Sequence, residues 1–95
     1  MSTHPQLLAP FVHLITQVIS IQIDPAAIGE HTTIADDLMI DSISLVSLVS
    51  LSEERFAVDL SGHAESIADL RTVGDALALI ASAQASNGDP VQIAA

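Results

Sequence analysis

The stretch Asp36-Asp37-Leu38-Met39-Ile40-Asp41-Ser42-Ile43, with the apolar run that follows it to Phe56, decides the fold of this chain. Asp and Ser are preferred at helix N-caps, where their side chains accept the first free backbone N–H groups. Either Asp41 or Ser42 can take this role. The stretch therefore predicts a helix that begins near Ser42 and presents the serine to solvent.

The residues after Ser42 repeat with the period of an α-helix. At about 100° per residue, one side of this helix is mainly apolar and the other polar. The first side carries Leu45, Leu48, Val49, Ser52 and Phe56, and the second carries Ser47, Ser50 and Glu54. Ile43 falls on the polar side, where it has no core to enter. We therefore predict a partner-contact surface made of Ile43, Val46, Ser47, Ser50 and Glu54.

Several positions together resemble the modification-site helix of the acyl carrier proteins: Asp37-Leu38, Asp41-Ser42-Ile43, Val46, Leu48-Val49, Glu53-Glu54 and Phe56. The stretch Asp69-Leu70-Arg71-Thr72-Val73 is similar to the start of that family's last helix. The resemblance covers roughly three quarters of the chain, well beyond a short-motif coincidence. It implies a 4′-phosphopantetheine cofactor on Ser42, whose thiol holds acyl groups as thioesters. It also implies that Asp41 helps a phosphopantetheinyl transferase to recognise the serine.

The composition indicates one small domain without disulfides. A chain of 95 residues can fold around a single core, and the absence of cysteine means that a prosthetic group must supply any thiol. Asp and Glu total 12 against Arg55 and Arg71, for a net charge of −10. Such a charge repels nucleic acid and anionic lipid and attracts proteins with basic patches. We expect a monomer without nucleic-acid or membrane partners, and the resemblance implies that its protein partners are acyl-loading and acyl-processing enzymes such as acyltransferases and ketosynthases.

Other features place the chain in the cytoplasm. No apolar run approaches the roughly 20 residues that span a bilayer. The N-terminus lacks the basic start of a secretion signal. The chain starts at Met1 without a linker, and we therefore expect a discrete carrier. The carboxylates Asp36, Asp37 and Asp41 do not follow the calcium-loop pattern, so we expect no metal site; instead, Asp36 or Asp37 should cap a short turn.

The rest of the chain predicts an all-α, four-helix acyl-carrier-like bundle with three main helices, one short helix and a long first loop. The first helix carries an apolar stripe at Leu7, Leu8, Phe11, Ile15, Val18 and Ile19, with a kink or restart at Pro10. Residues 21–40 form the loop, with apolar anchors at Ile23, Ile28, Ile34 and Leu38. Residues 64–70 form the short helix, with Ile67 and Leu70 inward.

Thr72 opens the final helix, with Asp75 in a variant of the capping box. Its inner stripe is Val73, Ala76, Leu77, Ile80 and Ala81. The predicted domain spans residues 1–85, and residues 86–95 form a flexible tail. A bound acyl chain could lodge between the second helix and the short helix, at Leu48, Val49, Leu60 and Ile67.

Three departures from the family pattern bear on function. Met39 stands where a glycine is frequent, which predicts a stiffer or more helical loop. Ser44, Ser47 and Ser50 stand where fatty-acid carriers tend to bear acids or a large apolar residue. Ile43, after the serine, also occurs in carriers of amino acids and peptides. We therefore favour a carrier for polyketide or related natural-product synthesis over one for fatty acids.

Two alternatives stay open. The protein could be an aminoacyl or peptidyl carrier, or a non-carrier acidic interaction module in which Ser42 only caps the helix. A serine hydrolase is rejected, because no Gly-x-Ser-x-Gly elbow surrounds Ser42 and no histidine adjoins it in sequence. We therefore expect no catalytic residue and no enzymatic activity.

Overall fold

The computed structural model describes residues 5–87, and this part of the chain forms an all-helical bundle without β-strands. Three long helices and one short helix were predicted, and this architecture is confirmed. The helices are α1 Pro5–Val18, α2 Ser42–Phe56, α3 Ala64–Ala68 and α4 Val73–Asn87, with single 3-10 turns at Pro25–Ala27 and Ser61–His63. None of the helices within residues 5–87 is long and apolar enough to cross a bilayer.

Helix α1 continues without a break through Pro10, so of the two predicted alternatives, a kink or a restart, the restart does not occur and the kink stays a prediction. An interior proline costs about 3 kcal/mol, mainly through its lost hydrogen bond and ring clash. Burial of Leu7, Phe11 and Ile15 on the predicted stripe offsets this cost. Val12 is buried too. Val12 lies outside the predicted stripe, and the turn at Pro25–Ala27 packs against this second side of the helix.

The long loop between α1 and α2 is anchored by buried side chains and by backbone bonds to α4. The Ile34 N–H donates to the Arg71 carbonyl over 2.8 Å, and the Gly74 N–H donates to the Glu30 carbonyl over 2.9 Å. Gly74 permits this approach, since a Cβ there would lie 3.1 Å from the Glu30 carbonyl oxygen. The loop is therefore held against the start of α4 before it reaches Ser42.

The start of α4 follows the predicted capping box. The Asp75 N–H donates to Thr72 Oγ1, and the Thr72 N–H donates to Asp75 Oδ2, both over 3.2 Å. The helix runs to Asn87, two residues beyond the predicted domain boundary at residue 85. Residues 88–95 of the predicted tail lie outside the described residues, so the tail stays a prediction.

The core is aliphatic, and Phe11 is its one fully buried aromatic side chain within the described residues. Its central cluster draws on α1, the long loop, α2 and α4. The buried members are Leu7, Phe11, Val12, Leu14, Ile15, Ile28, Ile34, Leu38, Ile40, Leu48, Val73, Ala76, Leu77 and Ile80. A second, smaller cluster contains Val58, Leu60 and Ala83, with Ile67 packed against it.

Candidate functional site

Ser42 is the first residue of α2, and its side chain is exposed. Asp41 occupies the N-cap with an extended backbone, and its Oδ1 accepts the Ser44 N–H over 2.8 Å. Of the two residues that could cap this helix, Asp41 therefore does so. Because the cap is supplied by its neighbour, the Ser42 hydroxyl is left directed to solvent and available for chemistry.

Asp41 keeps a negative charge beside this serine. The hydrogen bond from the Ser44 backbone N–H holds the pKa of Asp41 below its ordinary value of 3.8, with a smaller contribution from the Ser44 side chain. The carboxylate is thus ionised at neutral pH. It also lies at the positive end of the α2 dipole, where an anion is favoured.

The turn before Ser42 is held by a reciprocal pair of bonds. The Thr33 N–H donates to Asp37 Oδ2, and the Asp37 N–H donates to Thr33 Oγ1, both over 2.9 Å. The Thr33 backbone N–H is the main cause of the lowered pKa of Asp37. Of the two aspartates predicted to cap a short turn, Asp37 is therefore the one that does. Asp36 makes no such capping bond in the described part of the chain.

Met39, between this turn and Ser42, has a left-handed backbone with φ 54°. The prediction that methionine makes the loop more helical is wrong. Leu38 and Ile40, on either side, are both buried, and the Ile40 N–H donates to the Ile34 carbonyl over 3.1 Å, which closes the turn across Met39. A left-handed residue there explains why glycine suits the position, because glycine adopts positive φ without a Cβ clash.

Three large hydrophobic side chains of the described region are exposed, and all three lie near Ser42. They are Met39, Ile43 and Val46, at 67%, 79% and 65% exposure. The exposure of Ile43 agrees with the outward placement predicted from the helical period. Met39 was not predicted as part of this surface. Its exposure could have been inferred from its position, because the family frequently has a glycine there and so needs no side chain for the core.

The predicted contact residues are all exposed, and most of them line one shallow groove between α1 and α2. Ile43, Val46, Ser47 and Ser50 lie along it, opposite Gln17 and Val18 of α1. Glu54 is exposed but lies outside the groove, nearer the C-terminal end of α2. The structure thus brings four of the five predicted contact residues together, while their role in binding stays a prediction.

A small apolar cavity of about 20 Å³ lies beneath α2, bordered by α1, α4 and the loop around Leu60. Leu48, Val49 and Leu60 line it as predicted for an acyl site, but Ile67 does not. Ile67 packs instead in the second cluster, and Leu70, just after α3, borders the cavity. A space of this size holds about one water molecule. An acyl chain could enter only if the walls moved apart.

No group of three or more His, Cys, Asp or Glu side chains within the described residues is arranged to hold a metal ion. The carboxylates around Ser42 have other roles, since Asp37 and Asp41 accept backbone N–H groups. The candidate site is therefore an exposed serine at a capped helix start, bordered by apolar and acidic side chains.

Known proteins resemble this chain over most of its length. The family model described as a phosphopantetheine attachment site matches residues 12–80. The acyl carrier protein of Renibacterium salmoninarum is 36% identical over 85 residues, which are 90% of this chain and 100% of that protein.

Two relatives with a more specific name are also similar. The meromycolate extension acyl carrier protein of Mycobacterium bovis is 32% identical over 90 residues, which are 95% of this chain and 75% of that protein. The protein of that name from Mycolicibacterium smegmatis is 31% identical over 86 residues, or 90% of this chain and 83% of that protein. Because these similarities extend over the whole bundle and are not confined to the serine motif, the chain belongs to the acyl carrier protein family, whose members bear a 4′-phosphopantetheine.

Proposed function

We propose that Ser42 is the residue on which this acyl carrier protein bears its 4′-phosphopantetheine. The observation that carries the proposal is that the helix cap and the exposed hydroxyl at the start of α2 belong to two different residues. Asp41 supplies the capping carboxylate, and Ser42 presents an exposed hydroxyl. When bound, the group supplies a thiol that forms thioesters with acyl groups.

The residues around Ser42 fit a phosphodiester. The N-terminus of α2 favours an anion through its backbone N–H groups and its dipole, an effect of about 0.3 to 1 kcal/mol at an exposed site. In the attachment reaction, the Ser42 Oγ–phosphorus bond forms as the pyrophosphate bond of coenzyme A breaks, and 3′,5′-ADP leaves. The serine proton passes to a base on the transferase.

In this proposal, the chain itself supplies no general base for the reaction. No histidine adjoins Ser42 in the sequence to act as its base, and the Asp41 carboxylate serves as a helix cap. A phosphopantetheinyl transferase provides the base and a magnesium ion, and the carrier itself is non-catalytic. Its value lies in tethering, which replaces diffusion of the substrate with a high effective concentration at each docked enzyme.

The partners in this proposal are the transferase and the enzymes that load and process acyl groups, such as acyltransferases and ketosynthases. A net charge of −10 supports docking to surfaces with basic patches. Ile43, Val46, Ser47, Ser50 and Glu54 are the proposed contact residues. All five are exposed, so docking requires no opening of the core.

We also propose that the pathway is of the polyketide or a related natural-product type. Ser47 and Ser50 give the exposed groove hydroxyl groups in place of charges, which supports partners other than ordinary fatty-acid enzymes. The similarity to meromycolate extension carriers supports fatty-acid extension as the second candidate. The two candidates are distinguished by comparing kcat/KM for the loaded carrier with a polyketide ketosynthase and with a fatty-acid ketosynthase.

The attachment site is tested by intact mass after incubation with coenzyme A, magnesium and a broad-specificity phosphopantetheinyl transferase. We expect one added phosphopantetheine on the native chain and none on Ser42→Ala. Ser47→Ala is the matched control, because it removes an exposed hydroxyl from the same helix, and we expect it to be modified like the native chain.

Two results would contradict the proposal. Addition to Ser42→Ala would move the attachment to another residue. If the native chain gained no mass while its helical circular dichroism stayed intact, Ser42 would be only the first residue of α2 and not an attachment site. The acidic interaction module would then become the better description.

A further inference from the structure

Three large apolar side chains around Ser42 are at least 65% exposed in the described region. They are Met39, Ile43 and Val46, and we call them the apolar patch. Ile43 and Val46 lie three residues apart on α2 and are therefore neighbours on its surface. Met39 lies three residues before Ser42. A methionine, an isoleucine and a valine exposed around one serine are unusual, because soluble domains normally scatter such residues singly.

Met39 is the informative member of the patch, because folding gains little from its side chain. The left-handed backbone at φ 54° is unfavourable for any residue with a Cβ. The side chain is two thirds exposed and belongs to neither core cluster. A strained residue whose side chain does not pack in the core points to a role outside folding.

We propose that Met39 is a further contact residue for the phosphopantetheinyl transferase, which its side chain touches when the enzyme modifies Ser42. The inference rests on the proposed attachment at Ser42. The transferase must bring its active site to the Ser42 hydroxyl. A protein interface of ordinary size buries about 800 Å² on each partner, so it extends well beyond the hydroxyl itself, and Met39 stands only three residues before Ser42 in the chain.

Charge favours this occupant over the other candidates. A second copy of the chain or an anionic membrane would meet a protein of net charge −10 and be repelled. The exposed carboxylates Asp36, Asp37 and Asp41 lie beside the patch in the sequence. An apolar centre with a charged rim is the usual anatomy of a protein interface. The expected partner surface is an apolar recess bordered by basic residues.

The test measures KM and kcat for phosphopantetheine transfer by the source organism's own transferase. Met39→Gly removes the side chain and the left-handed strain together, so this variant should fold. Met39→Asn also suits a left-handed backbone, but its backbone is less flexible than that of glycine. Comparison of the two variants therefore distinguishes the effect of the lost side-chain contact from the effect of a more flexible loop. We expect both to raise KM about three- to tenfold, the loss of a partly buried apolar side chain, with kcat within about twofold.

Ala57→Gly is the matched control. Ala57 is the second left-handed, non-glycine residue of the described chain, at the opposite end of α2 from Ser42. It should leave KM unchanged. Met39→Leu keeps an apolar side chain and should raise KM less than Met39→Asn. Because the contact is apolar, the ratio of KM between Met39→Asn and the native chain should also persist at high salt.

Direct binding gives a second readout. The dissociation constant of the unmodified carrier for the transferase, measured without coenzyme A, should rise for Met39→Gly by the same factor as KM. If the native chain is modified but KM and the dissociation constant are unchanged in Met39→Gly and Met39→Asn, this inference is wrong and the proposed function stands.

Two other results would also overturn the inference. A native chain that accepts no phosphopantetheine would remove the proposed function and this inference together. Sedimentation that shows a dimer of the native chain, lost in Met39→Gly, would assign the patch to a second copy.

Discussion

Replacement of Ala57 by glycine is expected to stabilise the protein. Ala57 follows the last turn of α2 with φ 55° and ψ 47°, a left-handed conformation. The Val58 N–H beyond it donates to the Glu53 carbonyl over 3.1 Å. This bond is typical of the Schellman motif, in which glycine usually occupies the position that alanine holds here.

The size of the gain follows from two opposing terms. A left-handed backbone costs a residue with a Cβ about 1 to 2 kcal/mol. Glycine forfeits about 0.5 to 1 kcal/mol, because its unfolded chain has more freedom to lose. The Ala57 methyl is exposed, so little apolar burial is lost with it. The net gain is about 0 to 1.5 kcal/mol, and at its midpoint of about 0.75 kcal/mol the melting temperature should rise by about 3 to 6 °C for a domain of this size.

Urea unfolding followed by circular dichroism at the helical minimum measures this change. Ala78→Gly is the matched control, since Ala78 is also exposed but lies in the regular, right-handed part of α4. It should lose about 1 kcal/mol of stability. If Ala57→Gly also lost stability, with an unchanged denaturant slope, the argument from left-handed strain would be refuted.

Two further predictions concern carboxylates. The lowered pKa of Asp41 means that its contribution to folding is present above its ordinary value of 3.8 and is lost as the pH falls through the folded pKa. In Asp41→Asn, the free energy of unfolding should therefore fall less steeply as the pH is lowered from about 5 to about 2. Some of the fall should remain, because the pKa values of Asp37 and Asp59 are also lowered. An unchanged slope in acid titrations of the variant would contradict this account. Glu53 accepts the partly buried Leu60 N–H over 2.8 Å. Glu53→Ala should therefore cost about 1 to 2 kcal/mol in urea unfolding, and Glu53→Gln, which keeps an acceptor, much less. Equal losses in the two variants would show that charge, and not this bond, is what matters.

Features that depend on neighbouring residues were predictable from the sequence. The helical period places Leu48 inward and Ile43 outward, and both positions are confirmed. The capping box at Thr72 and Asp75 is confirmed as well. Such bonds join residues three positions apart, so a local pattern contains all the information that they need.

Features that depend on distant parts of the chain were not predictable. Helix α1 passes through Pro10 without a restart because its apolar face is held by the rest of the core. Leu70 borders the cavity, where Ile67 was expected. Ile67 packs instead against Val58, Leu60 and Ala83 of the second cluster. Gly74 meets the Glu30 backbone across more than forty positions of sequence.

The sequence by itself therefore determined the helices, their caps, the family resemblance and the candidate serine. The tertiary structure decided which of Asp41 and Ser42 caps α2, and it placed Met39 in an exposed, left-handed turn. The physical reason is that the turn is closed by a backbone bond that spans it, from the Ile40 N–H to the Ile34 carbonyl over 3.1 Å. This bond joins residues on either side of the left-handed Met39, and no local preference of methionine would have indicated that conformation.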